Sequence, residues 1–133
     1  AAVTAAEPLA GLLEELARSL GMRPFALADE AKPLYHAAAA AAANYVVEAL
    51  GVASDLLAAA GVDMAVMEPL TRRVVENVFA VGAAAALTGP IARGDLDTVE
   101  GQMRAADGVS AELGEQFRLL ARATAIRAGV ELE

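Results

Sequence analysis

Apolar residues recur at helical spacing along most of the chain. Near the start, Thr4 and Glu7 fit a capping box, in which the two residues cap backbone N–H groups at a helix N-terminus. The run that follows places its leucines on one helical face: Leu9, Leu12, Leu13, Leu16 and Leu20. Gly21 is a typical residue just beyond a helix C-terminus, and residues 24–27 are extended in character. The pattern predicts a first helix and then a short extended segment.

A second, much longer helix is predicted from Pro33 to about Ala60. Proline favours the first turn of a helix, and no later residue in this range clearly breaks the pattern. Asp63 then caps a new segment, in which Pro69 kinks or restarts a helix that continues over residues 70–81. We expect the valines of that helix to point inward: Val74, Val75, Val78 and Val81.

Two further helices are predicted near the end of the chain. Asp95 is a strong N-cap for a helix to about Ala106, and Ser110 caps a last helix over residues 111–128. The last helix has a stripe that we expect to be buried: Phe117, Leu120, Ala121 and Thr124. Strand signals are scarce and alanine, the best helix former, is abundant, so the predicted fold class is all-α, a bundle around one long central helix.

Composition and charge narrow the function classes. Hydrophobic residues make up 57% of the chain and aromatic residues only 4%, so the core must consist of Ala, Leu and Val. The net charge of −8 argues against nucleic acid and acidic membrane surfaces as partners, because both require basic surface. Without cysteines the chain has no disulfides and no Cys-based zinc site, which fits the cytoplasm, and we predict no metal. The apolar run over residues 37–43 is too short for a membrane span, and no signal peptide is visible.

Polar residues on the long helix are the first candidates for chemistry. His36, the only histidine, lies in its first turn, and Asn44 lies two turns later on roughly the same face. Ala40 between them leaves room for a ligand. A neutral histidine at this position would act as a hydrogen-bond donor or acceptor near pH 7. We therefore predict that His36 and Asn44 are catalytic and that Tyr35 binds substrate. The alternative is that His36 packs locally and Asn44 bonds to a neighbouring helix.

A second set of candidates lies later in the chain. Asn77 is unfavourable inside a helix, which suggests that it faces a polar pocket. Residues 86–95 form a polar turn with Gly and Pro, where Thr88 offers a hydroxyl and Arg93 can pair with an anion. We predict that Asn77, Thr88 and Arg93 bind substrate. The alternatives are that Asn77 bonds to another helix and that Arg93 and Asp95 only fix the loop.

Several segments occur in an order that resembles a known family. They are Tyr35-His36-Ala37, Asn44-Tyr45, Pro69-Leu70, Glu76-Asn77 and the string from Ala86 to Asp95. Together they resemble Rossmann-like oxidoreductases whose helical C-terminal part is a domain of unknown function (number 2520). The resemblance covers about residues 3–128, and Leu-Thr-Gly-Pro-x-x-Arg-Gly-Asp is its most specific motif. In that family a dinucleotide-binding domain precedes a helical domain similar to the C-terminal domains of 6-phosphogluconate dehydrogenase-like enzymes.

The resemblance implies the C-terminal part of an oxidoreductase that uses NAD or NADP. Residues 1–31 would be the end of the Rossmann-like domain, and residues 32–133 a helical domain that forms a homodimer and lines part of the substrate cleft. Residues 1–3 and 24–27 would be strands that pair with each other or with another copy. His36 and Asn44 would face the cleft, although related enzymes have a lysine at the first position.

We expect this chain alone to bind no cofactor and to be inactive without the dinucleotide-binding domain. The alternative is a non-catalytic helical dimerisation or small-molecule-binding module.

Overall fold

The computed structural model describes residues 1–132 and is mainly helical. Its elements are β1 (Ala2–Val3), α1 (Leu9–Ser19), β2 (Phe25–Ala26), α2 (Lys32–Ala59), α3 (Glu68–Val81), α4 (Ala83–Ala86), α5 (Pro90–Arg93), α6 (Leu96–Val109) and α7 (Ala111–Ala128). Single 3-10 turns, Asp29–Ala31 and Met64–Met67, precede α2 and α3. The chain divides into two compact units, one up to Val46 and one from Val47 onward, and α2 contributes to both. The all-α expectation is confirmed, with one small strand pair at the start.

The first unit begins with a parallel strand pair joined by α1. Ala2 lies opposite Phe25 and Val3 opposite Ala26, so the two extended segments pair with each other, one of the two alternatives expected from the sequence. The Thr4 hydroxyl donates a hydrogen bond to the Leu27 carbonyl and ties the ends of the two strands together. The predicted capping box is therefore wrong: α1 begins at Leu9, and no side chain of the described residues caps its N-terminus.

The second unit has its core between α6 and α7. The buried residues of these helices are Val99, Ala106, Leu113, Gly114, Ala121 and Ala125. Asp95 and Ser110 cap the two helices as predicted, accepting hydrogen bonds from the backbone N–H groups of Thr98 and Leu113. Arg118 Nη1 lies 2.6 and 2.8 Å from the two carboxylate oxygens of Asp107, which joins α7 to the end of α6. These local signals and small core residues produce a closely packed helical hairpin.

The predicted burial of the α3 valines is wrong for this chain. None of the 14 residues of α3 is buried. Val75 is 42% exposed, Val78 is 37% exposed and Phe79 is 87% exposed. The elements that α3 contacts most within its unit are the turn before it and α4 after it. The apolar face predicted from the sequence exists, but the helices of its own unit do not cover it.

Helix α2 is the longest element and is mostly exposed. With the preceding turn it spans Asp29–Ala59, 31 residues. An 18-residue window within it has a mean hydropathy of 1.3, so the helix is long and apolar enough to cross a membrane. Composition therefore does not exclude a span here, contrary to the expectation from the sequence. Asn44, Glu48 and Asp55 are polar positions that would have to be accommodated in lipid, at a cost for each. Only 6% of that window is buried within the chain.

Candidate functional site

The first unit contains an open cavity of about 770 Å³. Strand β1 and Thr4 form one side of it, together with Met22 and Leu27 near β2. Helix α1 lines it with a single helical face: Leu13, Leu16, Ala17 and Leu20. Because these residues have i, i+3, i+4, i+7 spacing, they share one side of α1 and face the cavity together. The cavity therefore exists because the crossover from β1 to β2 holds α1 beside the strands.

The first two turns of α2 form the polar side of the cavity. The same helical spacing brings four residues to its wall: Lys32, Tyr35, His36 and Ala39. The ring of Tyr35 packs against that of Phe25, with centroids 5.7 Å apart and an angle of 55° between the ring planes. The Lys32 ammonium lies 2.6 Å from a carboxylate oxygen of Asp29, in an exposed pair. Two of the predicted site residues, Tyr35 and His36, thus share the cavity wall with a lysine.

Asn44 lies elsewhere on α2. At 3.6 residues per turn it is about 80° around the helix from His36, whereas Ala39 is about 60° around in the opposite sense. Ala39 lines the cavity and Asn44 does not. Asn44 is exposed. The structure therefore separates the two residues that the sequence grouped as a catalytic pair, because eight residues do not make a whole number of turns.

The polar turn before α6 is built by its own backbone. Gly89 and Gly94 both have positive φ angles, of 94° and 69°, which favour glycine at these positions. The Arg93 N–H donates to the Gly89 carbonyl, and the Asp95 N–H donates to the Pro90 carbonyl. The sequence motif from residue 89 to 95 is thus explained by a tight turn around α5.

Asp95 completes this turn as the cap of α6. Its carboxylate accepts hydrogen bonds from the side-chain hydroxyl of Thr98 at 2.8 Å and from the backbone N–H of Thr98 at 3.3 Å. The hydroxyl bond, then the backbone bond, lowers the pKa of Asp95 below its usual value. The alternative interpretation of Asp95 as a residue that fixes the loop is consistent with this geometry.

The other predicted substrate-binding residues belong to the second unit. Asn77 lies on α3, Thr88 precedes α5 and Arg93 ends it, and all three are exposed. All residues that line the cavity belong to the first unit. The structure therefore brings His36 and Tyr35 to one cavity, and the roles predicted for Asn77, Thr88 and Arg93 stay predictions.

Sequence reasoning missed Lys32 and the leucine wall. Lys32 is four residues before His36, so helical spacing alone would have placed both on one face. The contribution of α1 had no local signal, because the cavity depends on the pairing of β1 with β2. Over residues 1–132 no group of three or more His, Asp or Glu side chains is placed to hold a metal ion.

Two solved structures share this fold. One is described as a "putative NADP oxidoreductase" from Bacteroides fragilis: it is 23% identical, matches 92% of this chain and 47% of its own, and has a TM-score of 0.79. The other, protein TM1727 from Thermotoga maritima, is 25% identical, matches 90% of this chain and 50% of its own, and has a TM-score of 0.70. The chain thus spans about half the length of each structure. No curated protein sequence matches it.

A family comparison gives a match over nearly the whole chain. The model of the family described as "Domain of unknown function (DUF2520)" matches residues 1–124. This range includes the cavity of the first unit, α3 and the turn around α5. The match agrees with the resemblance found in the sequence motifs, and the chain belongs to the DUF2520 family.

Proposed function

We propose that this chain is the C-terminal helical part of an NAD(P)-dependent oxidoreductase and that His36 acts in its substrate cleft. The observation that carries the proposal is the position of His36 on the wall of a 770 Å³ cavity beside a parallel strand pair. The words "putative NADP oxidoreductase" in the description of the Bacteroides fragilis protein support the reaction class. The proposed protein is cytoplasmic and binds neither nucleic acid nor a membrane.

The proposed domain boundary lies at the start of α2. Residues 1–31 contain the β1-α1-β2 crossover, which has the form of the end of a Rossmann-like sheet, and the proposed helical domain comprises residues 32–133. The helical domain is of the kind found in 6-phosphogluconate dehydrogenase-like enzymes. This boundary is distinct from the division into compact units, which falls within α2 at residues 46 and 47.

The residues of this chain do not suit the phosphates of a dinucleotide. The sequence has no Gly-x-Gly-x-x-Gly turn, and among the described residues Lys32 is the only Lys or Arg on the cavity wall. The dinucleotide is therefore held by the part of longer relatives that this chain does not span, and it supplies the hydride when bound. This chain provides part of the cleft wall, where Tyr35 orients the substrate. The imidazole of His36 donates or accepts a proton.

The test uses a protein that includes the dinucleotide-binding domain. NADPH and NADH oxidation is measured with a panel of carbonyl and imine compounds, for the wild type and for His36→Ala, Asn44→Ala and the control Arg18→Ala. We expect His36→Ala to lose about 100-fold or more in kcat with unchanged thermal unfolding, because a positioned acid or base contributes about 10²–10⁴-fold. Arg18, exposed and off the cavity wall, should not matter. Tight binding of NADPH to the 133-residue chain alone would contradict the proposal.

The second candidate is a non-catalytic dimerisation or small-molecule-binding module. The observation that favours it is the exposed apolar face of α3, on which Val75 is 42% exposed, Val78 is 37% exposed and Phe79 is 87% exposed. Contiguous apolar surface of this kind marks interaction sites. In this candidate His36→Ala leaves ligand binding unchanged, and the longer protein binds ligand saturably without transferring a hydride to any compound of the panel.

Both candidates include a homodimer that covers α3. We expect the chain to sediment as a dimer at tens of micromolar and Phe79→Glu to shift it toward monomer, because the substitution places a charge in the apolar contact. Ala80→Glu is the matched control: Ala80 lies about 100° further around the helix, beside Glu76 on the polar side. A wild-type monomer at this concentration, or equal effects of the two substitutions, would contradict the dimer.

A further inference from the structure

We infer that the cavity of the first unit takes a substrate with an apolar body and a carboxylate head, which faces Lys32 and His36. The inference rests on the proposed function, because it names the substrate class of the same site. It depends on three properties of the cavity: the charges on its wall, the apolar face of α1 and the availability of the Lys32 ammonium.

The charges on the wall favour an anion. The chain has 18 acidic residues against 10 basic ones, yet no Asp or Glu within residues 1–132 lines the cavity. Lys32 and the only histidine do line it. They are four residues apart on α2, so their side chains lie on one face with their Cβ atoms about 6 Å apart. An ammonium with three donors and an imidazole at this spacing match the two oxygens of one carboxylate.

The rest of the cavity wall is apolar and is exposed to solvent in this chain. Leu16 is 56% exposed and Leu20 is 64% exposed, although both point into the cavity. A hydrocarbon body placed against them removes apolar surface from water on both sides, which is favourable in proportion to the area covered. Ligand sites commonly combine such an apolar lining with a few convergent polar groups.

The Lys32 ammonium is available despite its contact with Asp29. Their pair is at i, i+3 on the surface, with the Lys32 side chain 53% exposed and that of Asp29 73% exposed. Exposed pairs of this kind are weak, because water solvates both charges. A carboxylate in the cavity therefore competes for the ammonium or shares it. A dinucleotide is disfavoured as the occupant, because its pyrophosphate needs more donors than this wall has.

The experiment uses the 133-residue chain and three probes with the same eight-carbon body: octanoate, 1-octanol and octylammonium. Because His36 is the only histidine, its imidazole signals in NMR spectra are assigned without ambiguity. We expect octanoate to shift these signals saturably, octanol to bind about tenfold more weakly and octylammonium to cause no saturable shift. The tenfold difference corresponds to loss of one charge-assisted hydrogen bond.

Two charge-matched variants separate local from long-range effects. Lys32→Gln should weaken octanoate binding about tenfold, whereas Arg18→Gln, with the same change of net charge off the cavity wall, should leave it unchanged. Leu16→Ala should weaken octanoate and octanol alike, by several-fold. Equal affinities for the three probes, equal effects of the two charge variants, or no binding of octanoate would overturn the inference.

The failure of this inference and the failure of the oxidoreductase proposal give different results. If octanoate does not bind but the longer protein shows His36-dependent hydride transfer, only the proposed substrate class is contradicted. If octanoate binds but no hydride transfer occurs, the carboxylate site stands and the oxidoreductase proposal is contradicted.

Discussion

Gly114 is the position where one methyl group should cost most in the helical hairpin of the second unit. A Cβ there would lie 1.9 Å from Asp107 Oδ1, 2.9 Å from its Cγ and 3.1 Å from its Cα. Both carboxylate oxygens accept hydrogen bonds from Arg118 Nη1, so the carboxylate cannot turn away without breaking these bonds. The third of these distances involves the backbone, so α6 and α7 must also move apart slightly.

The expected cost of Gly114→Ala is the difference between two effects. Alanine gains about 1 kcal/mol over glycine inside a helix. Overpacking a close contact costs about 1–3 kcal/mol, and loss of the Asp107–Arg118 contact adds to this. We therefore expect a net destabilisation of about 1 kcal/mol. Gly101→Ala in α6 is the control, because its Cβ would meet no atom within 4 Å, and it should stabilise by up to about 1 kcal/mol.

Urea unfolding followed by circular dichroism at 222 nm measures both changes, at one fixed protein concentration because a dimer makes stability concentration-dependent. The two Gly→Ala substitutions should move the midpoint in opposite directions. In an Asp107→Ala background the cost of Gly114→Ala should shrink, because the carboxylate overlap is gone and only the approach to the backbone of residue 107 remains. If Gly114→Ala stabilises the protein as much as Gly101→Ala does, the close approach of the two helices is refuted.

Two further predictions concern the hydrogen bonds of Thr4 and Asp95. Thr4→Val should lower the free energy of unfolding by about 1 kcal/mol, because it leaves the partly buried Leu27 carbonyl without its hydrogen-bond donor. Thr88→Val, at an exposed site, should change the free energy of unfolding little. Equal effects of the two substitutions would contradict the role of Thr4. The hydrogen bonds from Thr98 lower the pKa of Asp95 below its ordinary value of 3.8. The ionised carboxylate therefore stabilises the folded state at pH values above 3.8, and this stabilisation is lost as the pH falls through the lower pKa of the folded state. Asp95→Asn should therefore be less stable than the wild type near pH 7, and the gap should close in urea titrations below pH 3.8; a constant gap would contradict the cause assigned.

The helices and caps of the second unit could be predicted because their signals are local. Asp95 and Ser110 each accept a hydrogen bond from an N–H three residues later, so a few residues decide the outcome. Thr4 shows how the same logic fails. A capping hydroxyl accepts a hydrogen bond from a backbone N–H, but the Thr4 hydroxyl is positioned instead as a donor to the Leu27 carbonyl, 23 residues away. A capping motif cannot reveal a distant partner that only the strand pairing brings near the side chain.

The candidate site could be predicted in part for the same reason. His36 and Tyr35 follow from helix geometry once α2 is known, and Lys32 would follow from the same spacing. The spacing of the leucines in α1 identifies the apolar side of that helix. It does not show that this side faces Lys32, Tyr35 and His36. That relation depends on the parallel register of Ala2 with Phe25, which no periodicity encodes.

The exposed face of α3 connects the fold to the proposed assembly. A 14-residue helix is marginal in water by itself, and most helical stability in proteins comes from packing an amphipathic face. Yet α3 buries none of its residues, and Phe79 is its most exposed apolar side chain. In the homodimer proposed above, the valines that the sequence places inward would be buried against the second copy. For this reason Phe79→Glu should change association while leaving the hairpin of α6 and α7, which has its own core, intact.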